Sequence, residues 1–314
     1  MDKNSKIYVA GHKGLVGSAL VRALERQGYK NLVYRTRAEM DLERQEPVEA
    51  FFKKERPDVV FLAAAKVGGI WANETYQAEF IYDNTVIQAN VINAAYQNGV
   101  KELLFLGSSC IYPNDKDRPI KESDFLNGPL EKTNDAYAIA KIAGVRTCQA
   151  FRTQYGVRFM AVMPTNLYGP NDNYDLNNAH VLPALLRKFH EAKLSNAPSV
   201  TVWGSGRPRR EFLYVDDLAD ACIHVIHHYN ENDIINIGCG EDLTIKELAE
   251  KISQVVGFQG QLAWDAAKKD GTPRKLLDIS RIKALGWSPK VSLDEGLKRT
   301  YEVMKEELAE GKWK

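Results

Sequence analysis

The chain has 314 residues, 44% of them hydrophobic, and its 42 Lys and Arg nearly balance 41 Asp and Glu, for a formal net charge of +1. That length supports one large core, or a core with an appended lobe, and near-neutrality excludes a broad electrostatic footprint for nucleic acid while leaving room for a local basic pocket. No apolar run approaches the ~20 residues of a membrane-spanning helix. The first residues enter a strand directly, without the charged, apolar and small stretches of an export signal. Cys110, Cys148, Cys222 and Cys239 show neither a C-x-x-C pair nor Cys/His metal spacing. They read as reduced thiols of a cytoplasmic protein, with no metal expected.

Taken in order, the first strand is residues 6–10. Gly11-His12-Lys13-Gly14-Leu15-Val16-Gly17 follows it and opens a helix over 15–27. This G-x-x-G-x-x-G turn has the physical purpose of a dinucleotide fingerprint. Its glycines permit a tight turn and let backbone approach a pyrophosphate at the helix N-terminus. The second strand, 32–34, ends in Tyr34-Arg35-Thr36-Arg37, with no acid to hold a ribose 2′-hydroxyl. Arg37, or Arg35, with Lys13, is placed to neutralise a 2′-phosphate, which favours NADP(H) over NAD. Asp41 and Leu42 follow where the adenine would lie. A helix over 47–55 leads to a strand over 59–62, and Ala63-Ala64-Ala65 offers small side chains along the cofactor's path.

A long helix is predicted over 78–97, then a strand over 103–107 that runs from Leu106-Gly107 into Ser108-Ser109-Cys110. In open parallel sheets ligands sit beyond the carboxyl ends of strands, so Ser108 is placed to bond a substrate carbonyl. The next helix, 135–155, carries Tyr137 and Lys141, four residues apart and on one face. A Lys cation is expected to lower the Tyr pKa and suit the phenol to protonate an oxygen whose carbon receives hydride. The alternation of strands and helices through 158–163 predicts an α/β fold, a doubly wound parallel sheet.

The rhythm then breaks. Residues 164–173 read as turn-rich. Helices are predicted over 183–193, 218–228, 244–256 and 293–310, and extended segments over 200–203, 212–215, 234–237 and 261–264. Residues 1–170 are therefore expected to form a Rossmann domain, with sheet elements returning at about 212–240, and 171–314 mainly a smaller substrate-binding lobe. Arg207, Arg209 and Arg210 follow Gly204-Ser205-Gly206, a flexible basic turn able to clamp a diphosphate by paired hydrogen bonds. Trp203 is placed to pack on a nucleotide or to fill the lobe's core. Asp270 and Lys275 bound a charged turn on the pocket rim.

With its glycine turn, strand-end serine and Y-x-x-x-K in this order, the chain resembles the extended short-chain dehydrogenase/reductase superfamily. The likeness continues through 164–170 and 210–217. The segments 10–18, 63–70, 106–113 and 270–275 are similar to those of its GDP-4-keto-6-deoxy-D-mannose epimerase–reductase family. The resemblance implies an NADPH-dependent 3,5-epimerase and 4-reductase acting on a GDP-sugar. It implies Ser108, Tyr137 and Lys141 as the reductive triad and Cys110 and His180 as base and acid of epimerisation. It also implies Lys188, Trp203, Arg210 and Asp270 as GDP-sugar contacts, and Pro164, Thr165, Asn166, Leu167 and His180 along the cofactor. A homodimer through the helices near 78–97 and 135–155 is implied as well, with no membrane or nucleic-acid partner. A thiolate base needs a lowered pKa, while an imidazole titrates near neutrality and suits the donor. The alternative on this scaffold is a nucleotide-sugar 4-epimerase or 4,6-dehydratase. Dehydratases tend to carry an acidic pair where Cys110 and Ile111 stand here.

Overall fold

The computed structural model describes residues 1–114, 117–267 and 270–311. The first half runs β1 (Ile7–Ala10), α1 (Leu15–Arg26), β2 (Leu32–Val33), α2 (Gln45–Glu55), β3 (Val59–Leu62), α3 (Ile70–Thr75), α4 (Gln77–Gln97), β4 (Glu102–Leu106), α5 (Asp135–Tyr155) and β5 (Arg158–Pro164). Then come β6 (Asn166–Tyr168), α6 (Val181–Leu194), β7 (Ser199–Trp203), β8 (Arg209–Arg210), β9 (Phe212–Tyr214), α7 (Val215–His228) and β10 (Ile235–Ile237). The chain closes with β11 (Leu243–Thr244), α8 (Ile245–Val256), β12 (Gln261–Asp265), β13 (Arg274–Lys275), α9 (Ser280–Ala284) and α10 (Leu293–Ala309).

Six strands form the main sheet in the order β10-β5-β4-β3-β1-β2, every neighbouring pair parallel. Every residue of β1 and β3 is buried. Helices cover both faces, which is why these strands read as unbroken apolar runs rather than alternating ones. The chain reverses its direction of travel across the sheet between β1 and β3. Ligands bind at such a switch point, beyond the carboxyl ends of the strands.

A second apolar core gathers Leu186, Phe189, Leu248, Ile252, Leu297 and Met304 from α6, α8 and α10. Around it lie three small sheets. β7 pairs with β12, β8 sits between β11 and β13, and β6 pairs with β9. Several elements were not anticipated from the sequence, among them the short strands β8, β11 and β13 and helix α9. Residues 166–168, read as turn, form a strand because their partner, 212–214, arrives from far along the chain. Helix α3 was also missed, as it is a single short stretch after two glycines. Of the later extended segments, only 235–237 joins the main sheet.

Glu211 ties the two cores together. It is fully buried, and its carboxylate accepts the Gly240 N–H at 2.6 Å and the Leu277 N–H at 3.0 Å. Its carbonyl accepts Asn166 Nδ2 at 2.9 Å. A Glu211→Ala chain leaves the buried Leu277 N–H and the partly buried Gly240 N–H without an acceptor, at about 1–3 kcal/mol for the buried one. Urea denaturation is expected to show a loss of that order, and unchanged stability would contradict the role given to Glu211.

Candidate active site

The glycine turn packs against the start of α1 and the end of β3. Gly11 has φ +84°, and a Cβ there would lie 2.8 Å from Ala64 N, while one on Gly17 would lie 2.1 Å from the Gly11 oxygen. Neither position tolerates a side chain. Gly14, the N-cap of α1, offers no side-chain cap, and the first turn holds no acid. The free N–H groups and the positive end of the helix dipole therefore remain available to an anion. The turn opens into a cavity of about 700 Å³ that continues past Ser108 to Lys275.

Gly11, Gly14, Leu15, Val16 and Gly17 line this cavity, as do Arg37, Asp41, Leu42, Ala63 and Ala64. Arg35 also lines it, but its guanidinium bonds Glu55 at 2.9 Å and lies over the Phe51 ring. Arg37 bonds Glu43 at 2.8 Å with 77% of its side chain exposed, and is the freer of the two to meet a phosphate. His12 and Lys13 are not on the cavity wall. His12 stacks on Tyr34 at 4.5 Å, and burial with the Lys13 charge pushes its imidazole below the usual range.

Leu106, Gly107 and Ser108 carry the wall to the centre of the cavity. Ser108 accepts the Cys110 N–H at 3.2 Å, capping the 3₁₀ turn Ser109–Ile111, and its hydroxyl is close enough to the Tyr137 phenol to act on its pKa. Lys141 is buried, donates to the Leu106 carbonyl at 2.8 Å and lies 5.8 Å from the Tyr137 ring centre. The expected lowering of the phenol by this lysine does not occur. Burial is the largest influence on Tyr137 and raises it, the Cys110 charge adds to the rise, and the Ser108 hydroxyl opposes it. Burial also drives Lys141 down to about 7. The phenol thus keeps the proton it has to give.

Cys110 receives Asn134 Nδ2 at 3.3 Å and Lys275 Nζ at 3.7 Å on its sulfur. His180 is the N-cap of α6 and lines the same cavity. The residue is exposed by surface area, yet other protein groups crowd around its ring at the cavity. The surrounding protein, and then the Lys275 charge, push it below the ordinary imidazole range. Pro164, Thr165, Asn166 and Leu167 complete this wall.

Arg210 lines the cavity and is held by the Thr272 carbonyl at 2.6 Å. Lys188, Trp203 and Asp270 lie off the wall. Lys188 Nζ stands 4.8 Å over the Trp203 ring. Asp270 fastens the basic turn by accepting Ser205 N at 2.8 Å and Ser205 Oγ at 2.5 Å. Sequence reasoning missed Asn134, Glu131 and Asn178, which also line the cavity. Asn134 had one local signal, its place immediately before the Y-x-x-x-K helix.

A parallel sheet with this glycine turn at its switch point, and with Ser108, Tyr137 and Lys141 converging beyond β4, defines a dinucleotide-dependent enzyme of the short-chain reductase class. Residues 7–238 match the NAD dependent epimerase/dehydratase family. The chain is 60% identical to GDP-L-fucose synthase 1 of Arabidopsis thaliana, over 96% of this chain and 93% of that one. It is 55% identical to GDP-L-fucose synthase of Escherichia coli K12, over 95% of each. The crystal structure of a GDP-L-fucose synthetase from Naegleria fowleri bound to NADP superposes with a TM-score of 0.91 at 27% identity, covering 98% of this chain and 96% of that one. The chain belongs to the NAD dependent epimerase/dehydratase family and, within it, to the GDP-L-fucose synthases.

The buried lysine has a consequence for stability. Between about 7 in the fold and 10.5 in the unfolded chain, the unfolded state holds a proton that the folded state has released. Unfolding free energy therefore rises with pH across that window, by at most about 1.4 kcal/mol per unit. Denaturation at stepped pH is expected to show this rise in the native chain and its absence in Lys141→Met. Parallel curves for the two would contradict the burial argument.

Proposed function

We propose that this chain converts GDP-4-keto-6-deoxy-D-mannose to GDP-L-fucose, inverting the sugar at C3 and C5 and reducing it at C4 with NADPH. One observation carries the reading: the Ser108–Tyr137 hydroxyl pair and the Cys110 sulfur share a single cavity, near enough for the sulfur's charge to act on the phenol.

The 4-keto group acidifies the hydrogens on both neighbouring carbons. Cys110, as thiolate, takes one of these protons, and the Lys275 ammonium and Asn134 amide on its sulfur are suited partners for the negative charge it carries beforehand. The enolate that forms places its charge on the ketone oxygen, where Ser108 and Tyr137 hold it by hydrogen bonds. His180, once protonated, returns a proton to the opposite face, and the centre is inverted. The lowered pKa makes its imidazolium the more willing donor. The same sequence serves the second carbon. NADPH, when bound, supplies the hydride for C4, and Tyr137 gives its proton to the oxygen.

The cradle fits that cofactor. Backbone N–H groups at Gly11 to Gly17 meet the diphosphate and Arg37 the 2′-phosphate, with Asp41 and Leu42 beside the adenine. Ala63, Ala64, Leu106 to Ser108, Lys141 and Pro164 to Leu167 flank the reactive end. Arg210 takes the sugar nucleotide's diphosphate, and Lys188, Trp203 and Asp270 its outer part. A homodimer belongs to the same reading. Tyr82 on α4 and Ile139 on α5 are 64% and 46% exposed, large apolar side chains on the two long helices expected to meet a second copy. So does a cytoplasmic setting, in keeping with four free cysteines. Among the described residues no helix is long and apolar enough to cross a membrane.

The test is net oxidation of NADPH by the keto sugar, followed by its near-ultraviolet absorbance. A 4-epimerase or 4,6-dehydratase would regenerate its cofactor, so a flat trace would sink the proposal. With Tyr137→Phe the rate is expected to fall about 10²–10⁴-fold, the range of a lost general acid. Full activity in that variant would remove Tyr137 from the role.

A further inference from the structure

The segment that delivers His180 to the cavity is braced by another that the reaction scheme leaves unused. Gly69 N donates to the Asn178 carbonyl at 2.9 Å. A Cβ on Gly69 would lie 2.6 Å from the oxygen of Ala179, the residue before His180. The backbone of Gly69, at φ −69° and ψ −177°, is extended and open to any residue. Glycine is therefore required here for space and not for conformation. Gly68 is equally crowded, with a Cβ position 2.9 Å from Ala72 Cβ and 3.1 Å from Phe80 Cζ.

Two buried amides pin this stretch. Asn73, 6% exposed, donates to the carbonyls of Gly68 at 2.8 Å and Gly69 at 3.0 Å. Asn84, 2% exposed, bonds both the N–H and the carbonyl of Lys66 at 3.0 Å. On the other side, Asp175 turns residues 175–178 by accepting Asn177 N at 3.0 Å and Asn178 Nδ2 at 2.6 Å. Those bonds shape the loop from within, whereas the Gly69 bond fixes it against the rest of the molecule. Phe80, on α4, packs edge-on against Tyr137 at 6.1 Å. Residues 66–69 meet the segment bearing the imidazole, while the phenol is met by Phe80 further along, on α4.

We infer that residues 66–69, through Gly69 and Asn73, are the positioning element for His180, setting where its imidazole stands relative to the Ser108 and Tyr137 hydroxyls. The inference rests on the functional reading above and deepens it. It separates inversion from reduction, because the bonds that hold Ser108, just beyond β4, and Lys141, on α5, use neither Gly69 nor Asn73, and the Phe80 ring that meets Tyr137 abuts Gly68 rather than Gly69. In Gly69→Ala the new methyl must displace Ala179 and carry His180 with it. A misplacement of about 1 Å costs about 10²-fold in a step that needs the group in register.

The experiment gives the keto sugar and NADPH to the native chain, Gly69→Ala, Asn73→Ala, His180→Gln and the Gly69→Ala/His180→Gln pair. NMR of the products reads the partition between the inverted and the uninverted C4 alcohol, with melting and NADPH binding followed alongside. Gly69→Ala is expected to bind NADPH and melt as the native chain does. It should make inverted product about 100-fold more slowly and shift the remaining flux to uninverted alcohol. In the His180→Gln background the same substitution should change nothing further, which a general structural weakening would not reproduce. Inversion at the native rate in Gly69→Ala, or a further loss in the double variant, would overturn the proposal. Should Gly69→Ala fail to melt cooperatively, Asn73→Ala decides: the same selective loss, smaller in size, supports the brace, and native inversion refutes it. A native chain that oxidises NADPH without inverting would overturn the functional reading itself, and the brace with it.

Discussion

The seating of α5 on the end of β4, by one buried lysine amine on one carbonyl, is the constraint from which the site follows. Lys141 Nζ reaches the Leu106 oxygen at 2.8 Å, and the rest of the interface admits no slack. A Cβ on Gly144 would lie 2.4 Å from Phe105 Cζ and 2.5 Å from Gln88 Oε1, while Gln88 Nε2 donates to the Ala140 carbonyl at 2.6 Å. Ala138 and Ala140 are fully buried. A helix fixed in this register carries Tyr137 to Ser108, which the end of β4 has already placed. The cost is a lysine in apolar surroundings, and it appears as the depressed pKa of that group.

The second lobe completes what the sheet begins. Thr272 Oγ1 donates to Glu131 at 3.1 Å, Lys275 reaches the Cys110 sulfur, and Arg210 is held by the Thr272 carbonyl. The short sheet of β8, β11 and β13 thereby presses cations against the loop that follows β4. Under the proposed function, a ketone bound in this crease would take hydroxyls from one lobe on its oxygen, with a sulfur and an imidazole toward its flanking carbons. Enolisation and reduction both load negative charge onto that same oxygen, so one pair of donors serves every step.

What the sequence made legible was what is local. β1, β3, β4 and β5 are short apolar runs with both faces covered, and the glycine turn, Ser108 and the Tyr137–Lys141 pair lie at spacings set by a strand end or a helix turn. What it hid depends on partners distant in the chain. Residues 166–168 become a strand only because 212–214 lie alongside. Lys275, read as a rim charge, stands beside a cysteine 165 residues away. The direction of the Tyr137 shift was misjudged for a related reason. Spacing along a helix shows that a lysine is near, but not that burial outweighs its charge. The brace at Gly69 was visible only as a pair of glycines in a motif, with no sign of which backbone they would face.

The central claim is that one oxygen, held by Ser108 and Tyr137, organises inversion and reduction alike. The most direct measurement compares Ser108→Ala with the native chain in two assays. One is uptake of solvent deuterium at C3 and C5 of the keto sugar without NADPH, and the other is NADPH oxidation when it is supplied. Loss of one oxyanion donor costs about 10²–10³-fold, and the account requires both rates to fall together by comparable factors. Deuterium uptake at the native rate beside a collapsed reduction would show that the inversions do not use this oxygen's anchor, and the account would fail.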